Sequence, residues 1–317
     1  MTTEARYQAL LLQHTHAIID WTIVVYQGWL RELPAQPLVP RPFRNTDDDI
    51  MPALLTLGSL SETYRKKLTN NLEEAQSRPY MLIPACLLHV DPGLSPNSLT
   101  HHLIDKLMLD GPGREGAKRL LKYHRSELFL HLLRILPPPR IRQLFGPIQA
   151  WSVPFQREWL TFTPPAVTSI PKYWAVNEEQ SQRIARIDII NDVLKRWQKK
   201  TGHEWESVEA FHADAEKTER LLLSGVSRYR MVLYEDQLLF GLHSLLYGED
   251  FHEHPRIQHI LRTVQREGWG YTGGCASVTE EEWEDIAAAR PDRVTIEHIH
   301  QRKKYHAPGM RELPKMP

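Results

Sequence analysis

Histidine, cysteine and acidic side chains are the groups through which this chain could do chemistry, and their spacing is the first test. His252 and His254 flank Glu253, with Asp250 close by. Two ligands at i and i+2 can share a metal on extended chain. No third well-spaced ligand follows, and Pro255 starts a helix at once, so a loop with a capping role is the preferred reading. Asp47, Asp48 and Asp49 form an acidic triplet. With no other ligand in register, it reads as a solvated loop leading into a strand. His298 and His300 lie near Arg302, Lys303 and Lys304. A metal or phosphate patch is one reading of them; a solvated strand end and a flexible basic tail over 291–317 is the preferred one. His203 and Glu204 lack the second histidine of HExxH. Cys275, after Gly273 and Gly274, needs a histidine brought to it in space before it can act as a nucleophile. The alternative function held open by these groups is a small hydrolase using Cys275 or a His252/His254 metal site.

Gly111, Gly113 and Gly116 formally spell GxGxxG, as do Gly268, Gly270 and Gly273. A dinucleotide fingerprint needs a strand before it and a helix N-terminus after it. A helix precedes both sets, so the first reads as a turn joining helix to strand and the second, through Gly273 and on to Cys275, as a C-cap and loop. Composition narrows the classes further. Basic and acidic residues balance at 39 each, which gives no charge-based case for nucleic acid or an anionic membrane. Two cysteines, Cys86 and Cys275, make no disulfide framework, and reduced thiols in the cytoplasm are the plain expectation. The first residues lack a basic segment followed by an apolar core, so they do not read as a secretory signal. No apolar run approaches bilayer-spanning length.

The elements that must position these groups fall in two halves. The first holds a short helix over 7–12, a buried strand over 17–26, an extended proline-rich loop, a strand at Leu54–Leu57, an exposed-looking helix over 64–76, a buried strand over 79–89 and a helix over 98–109 capped by Ser95 or Asn97. His102 on that last helix reads as a packed, hydrogen-bonded core residue. Pro164, Pro165 and Pro171 mark a boundary. Beyond it come amphipathic helices. Asn177 and Gln180 resemble a capping box, followed by a stripe of Ile184, Ile187, Ile190, Val193, Leu194 and Trp197 with Gly202 as the stop. Further helices are predicted over 207–223, 231–247, 255–266 and 279–289, the last with a Thr279/Glu282 capping box. The expected fold is α+β: a mixed N-terminal lobe with a small sheet over 1–165, an all-helical lobe over 172–290, and the tail.

The densest apolar stretch, 120–159, joins these lobes to a family. Ser126 can cap a helix carrying Leu128, Phe129, Leu132, Leu133 and Leu136. Pro137, Pro138 and Pro139 stop it and open a second helix with Ile141, Leu144 and Phe145, closed by Gly146 and Pro147. Trp151 and Trp159 follow as an aromatic packing strip. This order resembles the effector-adaptor family of type VI secretion systems, whose segment opens Arg-Tyr-Tyr-Asp-Pro. Here Lys122, Tyr123, His124, Arg125 and Ser126 keep only the tyrosine, while Leu136, Leu144, Phe145, Gly146, Pro147 and Trp151 are kept. Ile18, Ile19 and Asp20 resemble the family's Leu-Leu-Asp strand end, and Leu99, His102 and Leu103 its Leu-x-x-His-Leu element. Gly225, Val226 and Ser227, then Gly248, Phe251 and Pro255, match its C-terminal patterns. The resemblance covers about residues 10–265 as many weak, ordered matches.

That resemblance implies a non-enzymatic cytoplasmic adaptor without a cofactor. It would bind a secreted effector on one surface and the VgrG spike protein on another, and neither nucleic acid nor membrane. Aromatic residues are favoured at binding hot spots, which makes Trp174, Trp197, Trp205, Tyr229 and Tyr234 the candidate partner contacts. Tyr123, Leu144, Phe145, Gly146, Pro147, Trp151, Gly248, Phe251 and Pro255 are expected to be structural.

Overall fold

A computed structural model describes residues 3–21, 29, 32–43, 51–74, 84–111, 118–267 and 270–289. The chain divides into two compact units, 1–187 and 188–317. The proline-rich segment around 164–171 belongs to the first unit, and the division falls within a helix rather than at those prolines. The acidic triplet, Gly113, Gly116, Gly268 and the tail with His298 and His300 lie outside the described residues.

The first unit runs α1 (Thr3–Leu12), β1 (His16–Ile19), β2 (Ala35–Pro37), β3 (Ala53–Thr56), α2 (Glu62–Glu74), β4 (Pro84–Val90) and α3 (Pro96–Leu107). It continues with β5 (Met108–Asp110), β6 (Lys118–Leu120), α4 (Ser126–Ile135), α5 (Pro138–Phe145), β7 (Ile148–Phe155), β8 (Glu158–Phe162) and α6 (Glu178–Ala185). Six strands form one sheet in the order β2-β3-β1-β4-β7-β8, every pair antiparallel. Ala17 pairs with Leu55 on one side and Leu87 on the other, and Leu87 pairs with Ser152. Because side chains alternate across a strand, one face carries Ala17, Ile19, Leu55 and Leu87, which pack with Tyr7 and Leu11 of α1 and Leu68 and Leu72 of α2. Helix α2 therefore has a buried face, against the expectation of an exposed helix.

The opposite face is built on Trp151, which is fully buried. Its ring meets Phe129 of α4 stacked at 4.9 Å, Phe145 of α5 at 5.7 Å and Tyr123 edge-on at 5.6 Å. The Tyr123 hydroxyl donates to the Leu103 carbonyl at 2.7 Å, which satisfies the phenol without water. Pro137 precedes α5 and prolines occupy its first turn, while Gly146 closes it at φ +53°. Gly146 has a second reason to lack a side chain: a Cβ there would sit 2.1 Å from the His102 ring. His102 itself donates from Nε2 to the Leu144 carbonyl at 2.8 Å and is packed as expected. Ser126 does not cap α4; Arg125 holds the N-cap position and makes no side-chain cap bond. The segment 151–159, read from sequence as a packing strip, is a hairpin of β7 and β8 turned through Gln156 at φ +54°.

The second unit is helical: α7 (Ile187–Thr201), α8 (Val208–Tyr229), α9 (Tyr234–Tyr247), α10 (Pro255–Glu267), α11 (Tyr271–Cys275) and α12 (Glu280–Ala288). Both capping boxes are present, Asn177 with Gln180 and Thr279 with Glu282. The helix expected from 178 to 201 is two, α6 and α7, separated at Arg186. Gly273 and Gly274 sit in α11, not in a loop. Gly248, at φ +104°, ends α9, Phe251 is buried, and Pro255 starts α10.

Replacing Gly146 with Ala should destabilise the protein by about 3 kcal/mol, from left-handed strain plus overpacking against His102. Adding His102→Ala should recover part of that loss. Urea unfolding of the two single variants and the double variant measures it; additive losses would show that the two residues do not press on each other.

Candidate partner-binding surface

The reactive side chains decide whether a catalytic site exists to compete with a binding surface. In the first unit the structure brings together three groups that sequence reading left apart. His14 Nδ1 lies 2.7 Å from the Leu10 carbonyl and Nε2 lies 2.7 Å from the Ser152 hydroxyl, which is 2.6 Å from Thr161 Oγ1. A carbonyl only accepts, so in the neutral ring Nδ1 carries the proton and Nε2 accepts from Ser152. That is the bonding of an activated serine. Yet Ser152 has no exposed surface, and burial lowers the His14 pKa. A cavity of about 220 Å³ reaches His14 between Leu11, Leu12, Leu57, Leu60 and Arg65, but Ser152 does not line it. The relay ties the end of α1 to β7 and β8.

A second buried group joins Asp20 to His124 at 3.3 Å and to Arg125 Nε at 2.7 Å. These are the strand-end residue and two of the positions at which the chain departs from the family pattern. Burial lowers the His124 pKa against the pull of Asp20. The cluster holds the turn before α4 onto the end of β1.

In the second unit Cys275 does meet a histidine, through Tyr271. The Tyr271 hydroxyl is 2.9 Å from His243 Nδ1 and hydrogen-bonded to the Cys275 thiol. The protonation states are wrong for attack. Burial pushes the Cys275 thiol up to about 11 and the His243 pKa down to about 3. Near neutral pH the thiol keeps its proton and the imidazole takes none. His252 and His254 do not converge. His254 Nδ1 accepts from the Arg256 amide at 3.3 Å, the capping role expected of this loop, while His252 is buried among the rings of Tyr229, Phe240 and Phe251. Among the described residues no group of three potential metal ligands occurs, and no helix is long and apolar enough to cross a membrane.

The five aromatic candidates separate by exposure. Trp174 is buried under the Lys106 ammonium, 5.3 Å from its ring. That placement removes it from any surface. Trp197 and Trp205 are half-buried around His203, and the Trp205 indole donates to Asp214 at 2.9 Å. Tyr229 packs on Phe240. Tyr234 is 45% exposed, and it is not alone: Leu223 and Val226 on α8 and Val232 and Leu233 in the turn to α9 are exposed beside it in sequence, Val232 by 81%.

This corner breaks two local rules. Arg230 ends α8 in the left-handed conformation, φ +54° and ψ +36°, where glycine is favoured and any other residue carries strain of about 1 kcal/mol. Leu233 occupies the N-cap of α9 and makes no side-chain cap bond, where a short polar residue is favoured. Sequence reading missed the corner because it extended the helix back to residue 231. The available signal was the apolar run Met231-Val232-Leu233 directly after Arg228-Tyr229-Arg230. Comparison with protein-family models, with curated proteins and with solved structures finds no match.

Two outcomes follow from the buried groups. At neutral pH the Cys275 thiol should alkylate roughly 100-fold more slowly than an unburied cysteine, since its thiolate fraction falls by that factor; timed iodoacetamide labelling read by peptide mass spectrometry measures it. His243 titrates near 6.5 when unfolded and near 3 when folded. Below 6.5 the unfolded chain binds a proton that the folded one refuses, so stability present above 6.5 is lost as pH falls toward 3, by at most about 1.4 kcal/mol per pH unit. Urea midpoints across that range should fall with pH, and His243→Phe should flatten the slope.

Proposed function

We propose that the protein is a non-enzymatic adaptor that recognises other proteins through the exposed corner from Leu223 to Tyr234. The observation that carries this reading is the corner's composition: five exposed apolar side chains stand at a site that forgoes a glycine and a polar cap. Soluble proteins violate local preference and expose contiguous apolar surface mainly where something binds. The burial of Ser152 and the protonation of Cys275 weigh on the same side, because a hydrolase needs a reachable, activated nucleophile. The resemblance to type VI secretion effector adaptors supplies the partner class: one secreted effector and the VgrG spike. Serving that role places the protein in the cytoplasm.

The test is affinity capture with the full chain as bait from lysate of its source cells, read by mass spectrometry. Joint recovery of a spike protein and one large effector supports the reading; recovery of neither, with both expressed, sinks it. Leu233→Asp sharpens the result. It supplies the missing N-cap, so stability should hold or rise by about 1 kcal/mol, while capture is lost.

A further inference from the structure

The corner carries a charge pattern as well as an apolar centre, and the two signs are separated across it. Arg228 and Arg230, both exposed, lie at the α8 end, and neither pairs with an acidic side chain among the described residues. Arg220, further back, is engaged with Glu249 at 3.3 Å. On the other side the Tyr234 hydroxyl donates to Asp192 of α7 at 2.7 Å. Asp188 and Glu235 are exposed on that same side, with Arg196 3.6 Å from Glu235 offsetting part of the charge. Between Arg230 and Tyr234 in the chain stand Val232, 81% exposed, and Leu233, 57% exposed.

We propose that the free protein pairs with a second copy of itself through this corner. The pairing is twofold and sets Arg228 and Arg230 of one copy against Asp188, Asp192 and Glu235 of the other. A surface that is apolar at its centre, basic on one side and acidic on the other is complementary to itself under a twofold rotation, because the rotation brings opposite signs together twice. The apolar centres cover one another in the same step. A net charge of zero leaves no long-range repulsion between copies. The chain's own basic residues Arg302, Lys303 and Lys304 make a poorer occupant, since they would meet like charge at Arg228 and Arg230. The inference rests on reading this corner as a recognition surface and is independent of which partner the adaptor serves.

Sedimentation velocity and light scattering on the purified full chain test it, up to about 100 µM. The wild type should be a dimer that weakens with salt. Arg228→Glu with Arg230→Glu should raise the dimer dissociation constant at least about tenfold, and so should Asp188→Lys with Glu235→Lys. An equimolar mixture of the two variants should restore a dimer, because each mixed interface again opposes unlike charges on both sides. That restoration also shows that both variants are folded. A wild type monomeric throughout, or variants that dimerise as it does, overturns the proposal. Partner capture by a monomeric wild type would leave the adaptor reading standing while this inference fell.

Discussion

The burial of Trp151 is the interaction on which the first unit depends. Its indole fills the face of the sheet that α4 and α5 must cover, and three other aromatic rings are oriented by it. Such pairs add about 0.5–1.5 kcal/mol each beyond the area they bury. The corner of prolines between α4 and α5 brings Phe129 and Phe145 to the same indole from two directions. The close approach of Gly146 to His102 then fixes where α5 ends relative to α3. Tyr123 and Phe145 of this stretch pack directly on the Trp151 ring.

That core was legible because its signals are local. Prolines, a terminal glycine and apolar spacing of three and four define α4, α5 and the turn after them without tertiary information. The capping boxes at Asn177 and Thr279 were legible for the same reason. The sheet was not. β7 contains Pro154 and buries Trp151, Ser152 and Val153 in succession, so it shows no clean alternation; β2 is three residues long. Strand identity here comes from pairing with distant partners, which no window of sequence displays. The polar relay from His14 through Ser152 to Thr161 was invisible for the same reason, since 138 residues separate its first two members. The turn from α8 to α9 was hidden by the opposite error, in which the second helix was started at Met231 although Met231, Val232 and Leu233 precede α9.

Buried polar groups and exposed apolar side chains contrast in this molecule. Four reactive groups are held in structural bonds: Ser152 on His14, Cys275 and His243 on Tyr271, His254 on the Arg256 amide. Five of the exposed apolar side chains lie from Leu223 to Tyr234, on a backbone that would be more relaxed with glycine at 230 and a polar residue at 233. Stability is given up where the two helices turn, and held everywhere around it by the packing of Phe240, Phe251 and Tyr271.

The topology of the sheet has a consequence for how the chain is made. β4 sits between β1, near the start of the chain, and β7, more than half of the first unit later. Until the ribosome has delivered Trp151, one edge of an almost wholly buried strand, Ala85 to Leu88, has no neighbour. The helices of the second unit close on sequence neighbours, α8 on α9 and α10 on α11. Non-local pairing folds slowly and local helical packing quickly. The slower half therefore emerges first, and the interval between Val90 and Trp151 is when a nascent chain most needs its open strand edge shielded from other chains.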